Sequence, residues 1–186
     1  MRLFVAIPLP RDLALRASEI LPTTLPALRR VKPENLHITL AFLGWTPDER
    51  LDDVTSAAGD AAAEVPPFEL ALEGLGRFPE RGRPRVVWIG IADGAPSVLR
   101  LGVGVSAGLR TRELRFDDRP LSPHLTIARV PGDASTAEGK TIVAATEGLV
   151  APRLQFTVDE IAVVQSVLSS KGPRYTALAT VPLAHR

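Results

Sequence analysis

Residues 34–43 read ENLHITLAFL, and residues 121–130 read LSPHLTIARV. In both stretches apolar residues alternate with other residues at a period of two, which predicts a half-buried β-strand. Each strand carries a histidine, one apolar residue and then a threonine, although the chain has only three histidines in all. The matching frames of His37 and His124, about half the chain length apart, therefore predict a shared function and suggest a duplicated lobe.

Alternation also predicts which side chains share a face of each strand. We expect an imidazole and a hydroxyl on one face, about 7 Å apart along the backbone, followed by a small alanine that leaves room beside them. The residues predicted on these faces are His37, Thr39 and Ala41 in the first strand and His124, Thr126 and Ala128 in the second. The residues predicted to face a core are Leu36, Ile38 and Leu40 in the first strand and Leu125 and Ile127 in the second.

The composition of the 186 residues is that of a globular protein, and the length favours one domain. The absence of cysteine excludes disulfides, thiolate nucleophiles and cysteine-rich zinc sites. The net charge of +1 means that any contact with nucleic acid is local. The chain has no apolar run long enough for a signal peptide or a membrane span, so we expect a cytoplasmic protein. His185 has no threonine partner and is expected at a frayed terminus.

Hydrophobic periodicity predicts the order β-α-β-α-β-β-α-β-α-β-β, hence an α+β fold with mostly antiparallel strands. Helices are expected at 11–21, 46–65, 95–114 and 133–149, and residues 153–183 are expected to form two or three strands with a turn at 169–173. Asp12 is the expected N-cap of the first helix, and Thr46 and Glu49 have the capping-box spacing for the second, with Pro47 at the first helical position. Three glycines weaken the prediction for the third helix.

Two imidazoles and two hydroxyls suit phosphodiester chemistry. Histidine changes its charge near neutral pH, so a neutral imidazole can accept a proton from water while an imidazolium donates one to a leaving oxygen. Threonine hydroxyls can donate hydrogen bonds to the phosphate oxygens, where charge accumulates. The two strands carry no carboxylate beside the histidines, which makes them a poor metal site, and we expect no metal or other cofactor.

The sequence resembles a known family at these motifs and beyond them. HITLAFLG at 37–44 and HLTIAR at 124–129 are similar to the twin His-x-Thr signatures of the two-histidine phosphoesterases. The most similar group is the RNA 2',3'-cyclic phosphodiesterases, also called the 2'-5' RNA ligase family. Three further stretches are similar to the sequences usual in that family, so the resemblance extends over the whole chain. They are MRLFVAIPLP at 1–10, VVWIG at 86–90 and SVLSSKGPRYTAL at 166–178.

The resemblance implies one domain, residues 1–186, made of two pseudo-symmetric lobes with helices outside and an active-site cleft between them. It implies hydrolysis of a 2',3'-cyclic phosphate at an RNA end, or on a nucleotide, to a 2'-phosphate. His124 would be the base that activates water, and His37 the acid that protonates the departing 3' oxygen. Thr39 and Thr126 would hold the phosphate. A monomer is the default expectation.

The family also uses the fifth position after each histidine, which is Phe42 in the first strand and Arg129 in the second. Phe42 would stack on a base, and Arg129 would reach the substrate. Five is an odd number, so a regular strand would point both side chains away from the histidine face. The strands must therefore bulge or end before these positions. Taken without the resemblance, Phe42 is expected in the core and Arg129 at a solvated strand end.

Two other functions fit the same residues. The chain could bind nucleotides or RNA without turnover, or it could run the chemistry in reverse and join RNA halves through a 2'-5' bond. Basic residues at 29–32 and in a predicted mobile loop, Arg77 to Arg85, are candidates for RNA contact, although solvated turns are the simpler expectation. Tyr175 is expected either to line a pocket or simply to pack.

Overall fold

The computed structural model describes residues 1–25, 27–170 and 172–184. The frayed terminus predicted at His185 and the central residue of the predicted turn, Lys171, lie outside the described residues. No helix in the described ranges is long and apolar enough to cross a membrane. The cytoplasmic location and the monomeric state stay predictions.

The described chain forms nine strands, four α-helices and two short 3-10 helices. The strands are β1 Arg2–Pro8, β2 Arg29–Arg30, β3 His37–Trp45, β4 Phe68–Phe78, β5 Val86–Asp93, β6 Leu125–Arg129, β7 Leu154–Val158, β8 Glu160–Ser169 and β9 Gly172–Pro182. The helices are α1 Arg11–Ser18, α2 Leu51–Ala63, α3 Ala95–Thr111 and α4 Thr136–Glu147, and the 3-10 helices are Pro33–Asn35 and Asp48–Arg50. The predicted element order is confirmed apart from the short β2 strand, and the last part of the chain forms three strands, the larger of the two numbers expected.

All the strands join one sheet, and every pairing between them is antiparallel. The strand order is β7-β4-β5-β6-β3-β1-β8-β9, with β2 alongside β6. The two histidine strands, β3 and β6, are therefore neighbours at the centre, with three further strands beyond each of them. The α+β fold is confirmed, whereas the division of one domain into two pseudo-symmetric lobes stays a prediction.

The main core lies between one face of the sheet and the helices. It contains Leu3, Val5 and Ile7 of β1 together with Val54 of α2 and Val98 of α3. A smaller apolar cluster lies on the opposite face and consists of Phe4, Ala6, Ala162 and Val164, with Tyr175 packed against it. Strand β1 is thus buried on both faces, which explains its unbroken apolar sequence.

The predicted N-terminal caps are wrong for two helices. The helix α1 begins at Arg11 after Pro10, so Asp12 lies within the first turn and does not cap it. Residues Asp48–Arg50 form a 3-10 turn that delays the start of α2 to Leu51. Thr46 is buried at the end of β3, where its hydroxyl bonds the carbonyl of Gly44 at 3.4 Å instead of capping a helix.

A capping box is present at α4, where the sequence analysis did not place one. The backbone N–H of Glu138 donates to the Ser135 hydroxyl at 3.2 Å, and the Ser135 N–H donates back to the Glu138 carboxylate at 2.7 Å. This reciprocal pair satisfies two backbone donors at the helix start.

The helix α3 is continuous despite its glycines, and two of them let it approach α2 closely. A Cβ built on Gly104 would lie 2.9 Å from the Cβ of Ala61, and one on Gly108 would lie 3.0 Å from the Cβ of Ala57. The missing side chains therefore serve the packing of the two helices, which offsets the low helix propensity of glycine.

We predict that Gly104→Ala lowers the free energy of unfolding by about 1 kcal/mol, because overpacking outweighs the gain in helix propensity. Gly59→Ala in α2 is the matched control, since nothing lies within 4 Å of the added methyl group. That control should raise the free energy of unfolding by about 0.5–1 kcal/mol. Urea denaturation measures both, and equal stabilisation by the two changes would contradict the packing role.

Candidate active site

The two histidine strands touch where each of them begins. Ile38 of β3 pairs with Leu125 of β6, and both side chains are fully buried. His37 precedes Ile38 and His124 precedes Leu125, so both imidazoles lie on the opposite face of the sheet. Electrostatic interaction with His124 is one of the smaller causes that lower the pKa of His37, so the two rings lie within electrostatic reach of one another.

A β-bulge follows the threonine of the first motif. Ala6 of β1 pairs with Thr39, but the next residue back along β1, Val5, pairs with Ala41. Leu40 is therefore an extra residue in β3, and the alternation of side chains reverses after it.

A second β-bulge follows the threonine of the second motif. Trp88 of β5 pairs with Thr126, whereas its neighbour Val87 pairs with Ala128. Ile127 is the extra residue, at the position in β6 that corresponds to the bulge in β3. Both strands therefore have the same irregularity one residue after the motif.

The bulges return the fifth position after each histidine to the histidine face. Phe42 pairs with Phe4, whose ring lies 4.6 Å from that of His37, and Phe42 itself is 37% exposed. Arg129 is also exposed, and its charge contributes to lowering the pKa of His37. The alternative in which Phe42 is an ordinary core residue is wrong.

The same bulges overturn the prediction for the two alanines. Ala41 and Ala128 are buried in the main core and do not lie beside the imidazoles. The extra residue before each alanine turns its side chain toward the helices. The space beside each histidine is therefore not created by a small residue on its own strand.

Both imidazoles are held by the same backbone contact. The Nδ1 atom of His37 lies 2.7 Å from the carbonyl oxygen of Asn35, and that of His124 lies 2.7 Å from the carbonyl oxygen of Ser122. Because a carbonyl can only accept, each Nδ1 carries the hydrogen and donates it. The Nε2 atom of each ring is left for proton transfer.

The two rings differ in their surroundings. His37 lies against Phe4 and Tyr175, with ring centroids 4.6 and 5.3 Å away. Burial is the largest cause that lowers the pKa of His37, and the hydrogen bond to the Asn35 carbonyl opposes it. The cationic form of His37 is therefore disfavoured in the free protein.

The wall around His124 consists of two other aromatic residues. Phe78 and Trp88 lie with ring centroids 5.1 and 6.1 Å from the imidazole. The indole of Trp88 occupies the space that a side chain at Gly76 would need, because a Cβ at that glycine would be 2.1 Å from the ring. The sequence analysis did not select Phe78, Trp88 or Phe4 as site residues, because their place depends on pairing between distant strands.

A pocket of about 120 Å³ opens beside His37. Phe4 and Tyr175 form its aromatic wall, and Ala162 and Val164 of β8 form its floor. Of the two alternatives predicted for Tyr175, its position against His37 favours the lining of a pocket.

Thr39, Thr126 and Arg129 carry hydrogen-bond donors on the histidine face that have no partner among the described residues. Thr39 and Thr126 are half-buried, and neither hydroxyl forms a hydrogen bond with any residue in the described ranges. The guanidinium of Arg129 likewise has no ion pair or hydrogen bond with another described residue. Donors that the protein leaves unpaired are available to the oxygens of an anionic ligand.

Three arginines of the basic segments bind the protein itself. The guanidinium of Arg30 donates to the carbonyl of Leu21 at 2.7 Å, and that of Arg77 donates to the Thr146 hydroxyl at 2.9 Å. Arg83 donates to the backbone carbonyls of Gly132 and Ala134. Arg30 and Arg83 thus bind the backbone of loops, and Arg77 connects β4 to α4. Arg29, Lys32, Arg81 and Arg85 are exposed.

Metal ligands do not cluster in the part of the chain that the structure describes. No group of three or more histidine, cysteine, aspartate or glutamate side chains there is arranged to hold a metal ion.

The sequence also matches a known protein family. The family model of the 2'-5' RNA ligase superfamily matches residues 10–168. The chain belongs to this superfamily. Its match to the family thus includes both histidine strands and most of the sheet.

Relatives within the superfamily match nearly the whole chain. A Thermus thermophilus protein named RNA 2',3'-cyclic phosphodiesterase is 36% identical, over 96% of this chain and 88% of its own length. An Archaeoglobus fulgidus protein of the same name is 33% identical, over 96% of this chain and 98% of its own length.

Solved structures of superfamily members share the architecture. A crystal structure of a protein from Thermus thermophilus superposes with a TM-score of 0.77 at 32% identity and covers 98% of both chains. The crystal structure of LigT from E. coli in complex with 3'-AMP superposes with a TM-score of 0.74 at 27% identity, over 99% of this chain and 98% of LigT.

We predict that Tyr175→Ala raises the pKa of His37 toward its ordinary value of 6.5, because water then reaches the imidazole and solvates its cation. The matched control is Tyr175→Phe, which keeps the ring over His37 and should leave the pKa low. Titration of the imidazole resonances by NMR measures the change. An unchanged pKa in Tyr175→Ala would show that burial under Tyr175 is not its cause.

Proposed function

We propose that this protein is a metal-independent RNA 2',3'-cyclic phosphodiesterase that opens the cyclic phosphate to a 2'-phosphate. The observation that carries the proposal is the pair of imidazoles on one face, each held through Nδ1 so that Nε2 is free. The unpaired hydroxyls of Thr39 and Thr126 on the same face support it. The names of the relatives at 33% and 36% identity support the choice of substrate.

The donors on the histidine face bind the phosphate in this proposal. Thr39 and Thr126 donate to its non-bridging oxygens, and Arg129 neutralises the charge that grows on them as the phosphorus accepts a fifth ligand. Phe42 stacks on the base of the terminal nucleotide. These groups position the phosphorus between the two Nε2 atoms.

Proton transfer is divided between the two histidines. His124 accepts a proton from the attacking water as the new bond to phosphorus forms. His37 donates its proton to the 3' oxygen as the bond between that oxygen and phosphorus breaks. The product has a 2'-phosphate and a free 3' hydroxyl, and a second proton exchange with solvent restores both rings.

The role of His37 as a donor needs a change of charge on binding. Burial, and to a smaller extent the charge of Arg129, lower the pKa of His37 in the free protein, so its imidazole is mostly neutral at pH 7. The negative phosphate raises this pKa when it binds beside the ring. Substrate binding therefore supplies the condition under which His37 holds the proton it donates.

We predict that His37→Ala and His124→Ala each lower kcat for a 2',3'-cyclic nucleotide by about 10²–10⁴-fold, because each variant lacks one proton-transfer step. Circular dichroism should show an intact fold in both. Turnover by the unchanged protein should persist in excess chelator. Full activity in either variant, or loss of activity with chelator, would exclude this mechanism.

A substrate with sulphur in place of the bridging 3' oxygen tests which histidine is the acid. A thiolate departs without protonation, so His37→Ala should lose much less activity on this substrate than on the oxygen compound. His124→Ala should lose as much on both, because the attacking water still needs a base. The opposite pattern in the two variants would reverse the assignment.

Ligation is a second candidate, favoured by the description of the superfamily. In ligation a 5' hydroxyl would take the place of water: the same base would accept its proton as it attacks the phosphorus, and the same acid would protonate the departing 3' oxygen, which leaves the two ends joined through a 2'-5' bond. Gel analysis of paired RNA fragments with these ends detects a joined product. Binding of the fragments without a hydrolysed or a joined product would instead indicate a non-catalytic RNA-binding module.

A further inference from the structure

The last residue of β3 is an uncovered aromatic side chain. The Trp45 side chain is 84% exposed, compared with 37% for Phe42. The indole therefore contributes little to the stability of the fold, although an aromatic side chain of this size usually buries a large apolar area.

Strand pairing places Trp45 on the histidine face of the sheet. Trp45 pairs directly with Arg2 of β1, and directly opposed residues of an antiparallel pair share a face. Arg2 lies two residues before Phe4, which contacts His37, so Arg2 also lies on the histidine face. Its guanidinium lies over the ring of Phe42, 5.3 Å from the centroid.

These residues form a surface that runs along β3 away from His37. We call Phe42, Arg2 and Trp45 the strand-end surface. From Phe42 to Trp45 the strand advances by three residues, about 10 Å in a regular strand and less here because Leu43 is bulged. That span corresponds to about one to three nucleotides of a single strand.

The charge of the strand-end surface favours a polyanion. The Arg2 guanidinium forms no ion pair or hydrogen bond within the described ranges, so its donors are free. Two acids lie near these strand ends: Asp48, whose carboxylate is paired with the N-terminal ammonium at 2.8 Å, and Asp117, whose backbone N–H donates to the Phe42 carbonyl at 2.8 Å. The carboxylate of Asp117 is paired with Arg119, which lowers the pKa of that carboxyl and neutralises its charge locally.

We propose that Trp45 and Arg2 bind the RNA strand on the 5' side of the cyclic end, with Trp45 stacked on a base and Arg2 on a phosphate. An exposed aromatic ring beside a free arginine is the combination that binds single strands without reading their sequence. This proposal rests on the proposed function, because it takes the cyclic end to lie between the histidines. It predicts a protein that prefers oligonucleotides to cyclic mononucleotides.

The test compares two substrates in one variant. Trp45→Ala should lower kcat/KM for a short oligonucleotide with a cyclic end by about tenfold, because one stacking contact is lost. Its kcat/KM for a 2',3'-cyclic mononucleotide should change by less than about twofold, since no base reaches Trp45. Trp45→Phe should keep most of the preference. Val103→Ala, a change at an exposed apolar residue of α3, is the control and should alter neither value.

Arg2 is tested through salt. Arg2→Gln should make the fall of log kcat/KM with log salt shallower by about 0.7 for the oligonucleotide, because one phosphate contact is lost. Arg2→Lys should restore the slope. Trp45→Ala should leave the slope unchanged, which separates the stacking contact from the charge contact.

The outcomes separate this inference from the proposed function. Equal losses on both substrates in Trp45→Ala, or no loss on either, would overturn the inference while mononucleotide turnover still supported the proposed function. A dimer that dissociates in Trp45→Ala, seen by sedimentation, would also overturn it by assigning Trp45 to a protein interface. If the unchanged protein turned over no substrate, quenching of Trp45 fluorescence by an unreactive oligonucleotide, lost in Trp45→Phe, would test the inference alone.

Discussion

The pairing of Ile38 with Leu125 is the contact on which the arrangement of the site depends. Both side chains are fully buried, so burial fixes which face of β3 and of β6 turns to the helices. A slip of one residue would bury an imidazole and expose an isoleucine. Beyond this contact β6 pairs with β2 and β3 continues along β1, so the strands stay adjacent only where the histidines lie.

The two bulges turn one periodic motif into a binding surface. A regular strand could present only every second side chain to the cleft, and Phe42 and Arg129 would then point into the core. One extra residue after each threonine reverses the alternation. The alanine that follows then faces the core, and the larger side chain after it faces the cleft. The same device in both strands gives different chemistry, an aromatic ring on one side and a cation on the other.

Identical local frames also acquire different surroundings from the strands beside them. The Nδ1 contact with a carbonyl two residues earlier is the same at His37 and His124. The pKa of His37 is lowered mainly because Phe4 and Tyr175, from strands at opposite ends of the chain, bury it. The difference between the rings is therefore a property of the sheet order, and local sequence alone did not contain it.

The sequence by itself determined the α+β class, the two strands and the face that carries His37 and His124, because period-two burial is a local pattern. The resemblance to the family additionally required a bulge or a strand end before Phe42 and Arg129, but could not choose between them. The burial of Ala41 and Ala128, the late start of α2 and the aromatic walls were decided only by tertiary structure. Each depends on which distant strand or helix lies alongside, and pairing energies between distant segments are not written in the spacing of neighbouring residues.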